Sequence, residues 1–354
     1  MKSWQITKFD GTGEFNLRDV TEPRLKSGFV HIRVSRTSVN HIDRMTIGGR
    51  FPWVQLPRTP GSEYVGTVEE VSSDVEDVRQ GDRVAVFPKM FCGVCRYCTS
   101  GQESTCLSGW EPSRAPVDLS TNMLPLSMDG GWAEMAMIPA RNTVPIPGGI
   151  SFDEAFGIPL SGMTAWHMIK RARAAPGEKA IVMGSAGGIG ISAMQILKMH
   201  GVSVLAVSSI PAHMQKLKRM GADAVSLADM KEFSLALQEF AGREGADIVV
   251  DPLGQSTFQQ SFMALAPGGR YVTCGSLTGA TSELSILRLY SRQIELIGST
   301  TGSRGDLAEA LEAAAAGKLT IPVDSDFGLE DVPAAVRRHS EGGRFGKVRI
   351  SVTR

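Results

Sequence analysis

The chain has 354 residues, long enough for two domains of ordinary size. Hydrophobic residues make up 42% and charged residues 21%, a balance that excludes disordered and fibrous proteins. Lys and Arg number 37 and Asp and Glu also 37, so we expect neither a nucleic-acid nor an anionic-membrane partner, since both usually require a basic excess. The chain has neither an apolar stretch of about 18 residues nor an apolar leader near Met1, and we expect a cytoplasmic protein.

The first part of the chain, to about residue 150, has the pattern of an irregular, mostly antiparallel β domain. Short β-rich runs alternate there with clusters of Pro and Gly, and the clearest runs are FVHIRVS, YVGTVEEVSS, DRVAVFP and WAEMAMIP.

Four of the five cysteines fall within fifteen residues of this part: Cys92, Cys95, Cys98 and Cys106. A disulfide framework would distribute its cysteines along the chain, and a cytosolic protein keeps them reduced. Four thiolates at short spacing are typical of a closed tetrahedral zinc site, which has no open position for substrate and is therefore structural. An iron–sulfur centre or a redox cluster is the alternative. Cys274 stands alone after an apolar run and is expected in the core.

From about residue 150, strand-like runs alternate with helical ones. The strands predicted are KAIVMG, VSVLAVSS, ADAVSLA, ADIVVD, RYVTCGS and IELIGST, and helices are predicted for GIGISAMQILKMHG, MQKLKRMG and TFQQSFMALAPGG. Continuous apolar strands alternating with helices predict parallel βαβ units in a doubly wound sheet. After about residue 301 one helix is predicted, DLAEALEAAAAG, followed by short strands that end in GKVRISV.

A dinucleotide site is predicted at the first strand-to-helix junction, GSAGGIG. Glycines there allow the backbone to approach a pyrophosphate, whose charge faces the helix N-terminus. The junction follows a strand, opens a helix and begins a βαβ series, which is the context that this motif requires. The predicted contacts are Gly184, Ser185, Ala186, Gly187, Gly188 and Ile189, with Gly275 and Ser276 at the end of a later strand.

The end of the second strand distinguishes NADPH from NADH. An NAD site usually has an acidic residue there that binds the ribose hydroxyls. This chain has Ser208 and Ser209, followed by His213 and Lys216. Hydroxyls and a cation suit a 2′-phosphate, which a carboxylate would repel, so NADPH is favoured. A solvated helix position is the alternative for Lys216.

These motifs together resemble the medium-chain dehydrogenase/reductase family, which includes zinc alcohol dehydrogenases and quinone reductases. The residues that carry the resemblance are PGSEYVGTVEEV, GDRVAV, the four-cysteine segment, DGGWAEM, SGMTAW, GSAGGIG, MGAD, PGGR and GKVRI. The resemblance implies a GroES-like, mostly β catalytic domain, residues 1–154 and 301–354, and a Rossmann α/β domain, residues 155–300. It also implies a cleft between the domains and commonly homodimers or homotetramers.

The three positions that the resemblance assigns to catalytic zinc ligands all depart from the zinc dehydrogenases. Asn40, Ser62 and Leu160, or Ser161 beside it, stand where that family has Cys, His and Cys. None of these side chains supplies a thiolate or an imidazole. The sequence therefore predicts a chain that keeps the structural zinc and lacks the catalytic one.

The loss of a catalytic zinc bears directly on the reaction. Hydride transfer to a carbonyl creates an alkoxide, which needs a Lewis acid or hydrogen-bond donors. Conjugate reduction places hydride on the β-carbon and spreads the charge into an enolate. The zinc-free members of the family are quinone, enoyl-thioester and enone reductases, so NADPH-dependent reduction of an activated C=C bond or a quinone is the leading hypothesis. A carbonyl/alcohol oxidoreductase and a non-catalytic NADPH-binding protein are the alternatives.

The polar groups near the changed ligand positions are the candidate catalytic residues. Asn40 is a candidate donor to the substrate oxygen, with Ser62 assisting. His41 is a candidate proton donor, with cofactor phosphate or the surface as alternatives. Asp43 and Glu63 resemble the family's supporting acids.

Two further site residues come from the resemblance alone. Thr164 resembles a family threonine near the nicotinamide, with core packing as the alternative. Lys347 resembles a basic position near the pyrophosphate, with a solvated charge as the alternative.

The long segment after the fourth cysteine is a candidate cover for the substrate pocket through Trp110, Met123 and Leu124, or else a surface insertion. His339 has no partner at a meaningful spacing and is expected to be an ordinary helix or surface residue.

Overall fold

The computed structural model describes residues 1–9, 14–109 and 122–353. The strands in these ranges are β1 (Lys2–Gln5), β2 (Asn16–Asp19), β3 (Phe29–Ser38), β4 (Tyr64–Val71), β5 (Arg83–Val86), β6 (Met135–Pro139), β7 (Thr143–Pro145), β8 (Lys179–Val182), β9 (Ser203–Ser208), β10 (Ala224–Leu227), β11 (Ala246–Val250), β12 (Leu265–Thr273), β13 (Glu295–Gly298), β14 (Val323–Gly328) and β15 (Lys347–Ser351). The helices are α1 (His41–Ile47), α2 (Arg96–Thr99), α3 (Phe152–Ala155), α4 (Met163–Ala172), α5 (Gly188–Met199), α6 (Met214–Arg219), α7 (Met230–Ala241), α8 (Gln255–Met263), α9 (Ile286–Ser291), α10 (Arg304–Ala315) and α11 (Val332–Ser340).

A seven-stranded sheet forms the first body of the fold, in the order β14-β15-β3-β4-β5-β7, with β6 also paired to β3. All of its ladders are antiparallel except β14 with β15. Alternate residues of β3, namely Val30, Ile32 and Val34, are fully buried in its core. This is the mostly antiparallel β domain that the sequence predicts, and the last strand of the chain, β15, returns to it beside β3.

A six-stranded parallel sheet forms the second body, in the order β10-β9-β8-β11-β12-β13. Its central strands are buried on both faces, since Ile181, Leu205 and Val249 pack into one cluster while Ala180, Val204 and Ile248 pack into another. The strand order reverses between β8 and β11, and in doubly wound sheets this crevice is where ligands bind. The predicted GroES-like and Rossmann α/β architecture is confirmed.

Two predicted segments differ from the structure. The helix predicted through residue 269 ends at Met263, because Leu265 already pairs with Ala246 of β11 and the chain continues as β12. After residue 301 there are two helices, α10 and α11, where one was predicted. The second of these is short and amphipathic, with Val332, Ala335 and His339 on its buried side.

In the described part of the chain, no helix has both the length and the apolar character needed to cross a membrane.

Candidate active site and metal centre

The main cleft lies at the carboxyl ends of β8, β9 and β11 and has a volume of about 360 Å³. Its facing wall is formed by the start of α1 and by the segment that joins α11 to β15. The predicted site residues that line it are Asn40, His41, Gly184, Ala186, Gly187, Gly188, Ile189, Ser208, Ser209, His213 and Lys347. The predicted site residues outside its lining are Asp43, Ser62, Thr164, Ser185, Lys216, Gly275 and Ser276.

The glycine turn, residues 184–190, forms the floor of the main cleft. Gly184 has a left-handed backbone with φ of 64°, and a Cβ on Gly190 would lie 2.4 Å from the Gly184 carbonyl oxygen. The Ser185 hydroxyl donates to the Val182 carbonyl at 2.6 Å, so this side chain supports the turn from beneath. The α5 helix begins at Gly188, and its N-terminus therefore opens toward the cleft, where an anion would be stabilised.

The two serines after β9 have different surroundings. Ser208 is buried, and its Oγ lies 2.9 Å from Nδ1 of His213, whose Nε2 lies 3.3 Å from the Gly343 carbonyl oxygen. Ser209 is exposed in the cleft, and Lys216 packs its ammonium 5.2 Å from the Phe345 ring centre rather than lining the cleft. The Ser209 hydroxyl is therefore the one free to meet a ribose substituent.

Three predicted cofactor or catalytic residues, Thr164, Gly275 and Ser276, lie outside the lining of the cleft. Thr164 is buried at the start of α4. Gly275 and Ser276 follow β12, and it is the next residue, Leu277, that reaches the cleft lining.

Of the long segment predicted as a cover, Trp110 lies outside the described residues. Met123 and Leu124 are buried, and the Leu124 N–H donates to the Pro88 carbonyl at 2.9 Å. Leu124 packs in the core of the seven-stranded sheet, so neither of these two side chains lines the main cleft.

Asp43 is a buried carboxylate that holds two parts of the site together. It accepts hydrogen bonds from the backbone N–H of Asn40 at 2.8 Å, of Gly61 at 3.1 Å and of Ser62 at 2.8 Å. The Ser62 hydroxyl also donates to it at 3.1 Å. Burial raises the pKa of Asp43 to about 6, against the effect of these donors. Asp43 therefore positions the two neighbouring residues and does not itself face the cleft.

The Lys347 network is the group formed by Lys347, Glu63, Asn40, Ser62 and Ser161. The Lys347 ammonium donates to a Glu63 carboxylate oxygen, to Asn40 Oδ1 at 2.6 Å and to Ser161 Oγ at 3.2 Å. The Asn40 amide nitrogen donates to Ser62 Oγ and to Glu63, both at 3.1 Å. The residues at the three changed ligand positions therefore converge, and Lys347 lies among them as a buried, paired cation rather than a solvated charge.

Ser161, and not Leu160, supplies a side chain to the network. Residues Ile158–Gly162 form a π-helical turn before α4, and Leu160 contributes only its backbone N–H, which donates to Glu63 at 2.9 Å. Such turns insert one extra residue per turn and are common at functional sites.

Glu63 is charged in this arrangement. Burial alone would raise the pKa of its carboxyl group, but the adjacent Lys347 ammonium and hydrogen bonds from Ser38 and Asn40 outweigh burial and hold the pKa below its ordinary value. The pair is therefore an ion pair, with Glu63 and Lys347 only 1% and 4% exposed.

Two histidines and an arginine, His41, His339 and Arg344, continue the facing wall beyond Lys347. His41 and His339 make an edge-to-face contact with ring centres 4.8 Å apart. Burial, and then the Arg344 cation, lower the pKa of His339 to about 2, so this ring is neutral near pH 7. The pKa of His41 is lowered by the same two causes, although its ring is open to the cleft.

His339 and Arg344 are site residues that the sequence reasoning missed. His339 is buried and lines the cleft, with a buried Nδ1 atom that has no hydrogen-bond partner among the described residues. The signal that was available is its spacing from Val332 and Ala335 at i−7 and i−4, which places it on the buried side of α11.

The four clustered cysteines fit a single tetrahedral metal ion. Their Sγ atoms all lie within 4.8 Å of one another, and those of Cys95 and Cys98 are 3.5 Å apart. Four sulfurs around one zinc ion at about 2.3 Å would be separated by about 3.8 Å. The Cys92 N–H lies 3.3 Å from Cys106 Sγ, and such donors stabilise thiolate charge.

A parallel Rossmann-type sheet with a glycine turn, facing a GroES-like β domain across a cleft, defines a two-domain dehydrogenase. A family model described as the alcohol dehydrogenase GroES-like domain matches residues 26–148, and one described as zinc-binding dehydrogenase matches residues 188–316.

Individual relatives cover nearly the whole chain. An alcohol dehydrogenase of Geobacillus stearothermophilus is 32% identical over 339 residues, 95% of this chain and 96% of that protein. An acryloyl-coenzyme A reductase of Metallosphaera sedula is 29% identical over 338 residues, again 95% and 96% of the two chains. The solved structure of a cobalt- and zinc-bound thermostable alcohol dehydrogenase from Pyrobaculum aerophilum superposes with a TM-score of 0.88 at 34% identity, covering 99% of each chain. The chain belongs to the medium-chain, zinc-type dehydrogenase/reductase family of oxidoreductases.

Replacing Cys98 by Ser should remove most of the bound zinc and lower the thermal midpoint of unfolding, because three thiolates hold the ion less tightly and the loop has little other core. Metal content per chain and a thermal melt measure both effects. The half-buried Cys274→Ser is the matched control, and it should keep the metal. Full zinc retention in Cys98→Ser would contradict the assignment, and iron in the wild-type protein would favour the alternative metal.

Proposed function

We propose that the protein is an NADPH-dependent reductase that transfers hydride to a C=C bond conjugated with a carbonyl group, as in an enone or enoyl thioester, or to a quinone, without a catalytic zinc ion. The observation that carries the proposal is the Lys347 network, which brings a cation to the point where the three changed ligand positions converge.

The residues at that point do not fit a catalytic zinc ion. Asn40, Ser62 and Ser161 offer an amide and two hydroxyls, whereas zinc in proteins is held by thiolate, imidazole and carboxylate. The one carboxylate among them, Glu63, is already paired with the Lys347 ammonium, and a positive charge there repels a metal ion. The proposed reaction therefore uses no catalytic metal ion.

Conjugate reduction suits a site of this kind. The negative charge that follows hydride transfer is delocalised over an enolate, which demands less of the protein than a localised alkoxide does. The relative from Metallosphaera sedula is named for the reduction of acryloyl-coenzyme A, an enoyl thioester, and this supports the same class of substrate here.

The main cleft offers the groups that a dinucleotide needs. The cofactor supplies the hydride when bound. The N–H groups at the start of α5 suit its pyrophosphate, with Arg344 on the facing wall. Ser209, in place of an acidic residue after β9, favours the 2′-phosphate of NADPH.

Interconversion of a carbonyl and an alcohol is the second candidate. It is favoured by the alcohol dehydrogenases among the relatives, several of which are named as NAD-dependent. The Lys347 ammonium group would then be the donor that faces an alkoxide, since the N–H groups of Asn40, predicted as a donor to substrate, already bond to Ser62 and Glu63.

Incubation of the protein with NADPH and α,β-unsaturated ketones, aldehydes and thioesters should give saturated carbonyl products, identified by mass and NMR. Each enone or enal offers both a C=C and a C=O bond to the same cofactor, so the two reactions compete in one tube. An allylic alcohol would support the second candidate instead. Binding of NADPH without turnover of any acceptor, quinones included, would support a non-catalytic role.

Ser209→Asp should weaken NADPH binding by about tenfold or more and leave NADH binding almost unchanged, because a carboxylate in the exposed cleft repels the 2′-phosphate. Dissociation constants for both cofactors, measured by fluorescence titration, test this. Ser209→Asn is the neutral control. An equal change for both cofactors would overturn the NADPH assignment.

We also propose a homodimer, or a tetramer built from it, through the β13 edge of the parallel sheet. Exposed apolar side chains lie on α9, the helix that directly precedes β13, namely Ile286 at 61%, Leu287 at 66% and Tyr290 at 66%. A second copy that pairs its own β13 across a twofold axis would cover both the edge and these side chains.

Light scattering after gel filtration should give at least twice the chain mass. Leu287→Glu should shift the protein toward monomer, whereas Leu235→Glu, an equally exposed leucine on α7 near the opposite edge, should not. A monomeric wild-type protein would refute this assembly.

A further inference from the structure

We infer that Lys347 is a catalytic residue: its ammonium group binds the substrate carbonyl oxygen and donates the proton that completes the reduction. This inference rests on the proposed function and goes beyond it, because it assigns the acid and the oxyanion donor to one side chain and replaces the phosphate contact expected for this position.

The Lys347 side chain is directed toward the changed ligand positions. All three acceptors of its ammonium group, Glu63, Asn40 and Ser161, lie in the network, and two of them occupy changed ligand positions. The ammonium group is thus placed where the changed ligand positions converge, and the stem that carries it passes beside Gly188 of the glycine turn.

The stem of the side chain is confined by two glycines. A Cβ on Gly157 would lie 3.0 Å from Lys347 Cδ, and a Cβ on Gly188 would lie 3.2 Å from the same atom. Any larger residue at these positions would press on the stem. A long, flexible side chain is thereby held in one direction, which is what a positioned donor requires.

The positive charge of Lys347 is held in place by a buried carboxylate, Glu63. A buried ion pair contributes little net stability, because desolvation offsets the attraction, and its presence calls for another explanation. Glu63 accepts from Lys347, Asn40 and Ser38, and this charged carboxylate keeps a positive charge beside it. The positive charge of Lys347 therefore faces the cleft, and the negative charge of Glu63 lies on the side away from the cleft.

Lys347 can be reached from the main cleft. Lys347, Asn40 and Ser161 all line the main cleft, whereas Ser62 and Glu63 do not. The bond to Ser161 is the longest that the ammonium group makes to a neutral partner, 3.2 Å against 2.6 Å to Asn40. A substrate carbonyl oxygen that replaces Ser161 as acceptor would leave the other two bonds intact.

Bound NADPH would supply a hydride, which would form a C–H bond at the β-carbon while the C=C electron pair moves toward the carbonyl, and Lys347 would donate a hydrogen bond to the resulting enolate oxygen. A proton from the ammonium group completes the new bond at the α-carbon, directly or through the enol. The substrate gains two hydrogens, NADPH becomes NADP⁺, and the neutral amine regains a proton from water.

Lys347→Ala tests the inference in three measurements. At saturating NADPH, the rate of hydride transfer in a single turnover should fall by about 100-fold or more, the usual effect of removing one oxyanion donor. The dissociation constant for NADPH should change by less than about threefold, since the ammonium group does not bind phosphate in this assignment. Added ethylammonium should restore part of the lost rate, because it fits the space left by the stem, whereas tetramethylammonium, which has no N–H, should not.

The controls separate folding from chemistry. Lys318→Met, which changes an exposed lysine outside the lining of the cleft, should behave as wild type. The double variant Lys347→Met/Glu63→Gln removes both charges, so it leaves no buried carboxylate unpaired. It should melt near the wild-type temperature, while its rate of hydride transfer should stay as low as that of Lys347→Ala. An unchanged rate of hydride transfer in Lys347→Ala would overturn the inference. So would a loss confined to NADPH affinity, which would make Lys347 a phosphate ligand.

The product reports separately on the proposed function. A wild-type protein that makes allylic alcohols would refute conjugate reduction, while the rate and the rescue by ethylammonium would still test Lys347 on the carbonyl. A wild-type protein that makes saturated carbonyls, with a Lys347→Ala variant of normal rate, would refute the inference alone.

Discussion

The buried ion pair between Lys347 and Glu63 is the interaction on which the rest of the site depends. Two charges with so little exposure are stable only if each has partners in good geometry, and here the partners come from four separate parts of the chain. Lys347 begins β15, Glu63 precedes β4, Asn40 caps α1 and Ser161 lies in the turn before α4. The last strand of the chain is thereby fixed against the first sheet at the cleft, and any change to one partner disturbs the others.

The same constraint explains why hydroxyls and an amide suit the three changed positions. An ammonium group needs acceptors in place of thiolates, and Asn40 and Ser161 accept from it. Asn40 also donates to Ser62 and Glu63, so one amide both receives from the cation and supports the anion. Beneath them, Asp43 fixes the backbone of Asn40 and Ser62. The three side chains and the ion pair therefore support one another through a single set of hydrogen bonds.

The sequence predicted the fold well, because apolar strand runs and the glycine turn are local signals and the cysteines are close in sequence. It predicted much less of the site. Lys347 and Glu63 are 284 positions apart, and no spacing indicates that they meet. The choice between Leu160 and Ser161 required the π-helical turn, whose extra residue shifts the side chains by one position. His339 belongs to a short helix whose three buried positions are too few to stand out from the charged residues around them.

The segment that leads into β15 also touches the parallel sheet. The Gly346 N–H donates to the carbonyl of Ala186 in the glycine turn at 2.9 Å, and the Gly343 carbonyl lies 3.3 Å from His213. A hydrogen bond of this kind contributes about 1 kcal/mol net. At this edge of the cleft the two sheets are therefore joined by contacts of about 1 kcal/mol each, which can break while both sheets keep their own hydrogen bonds.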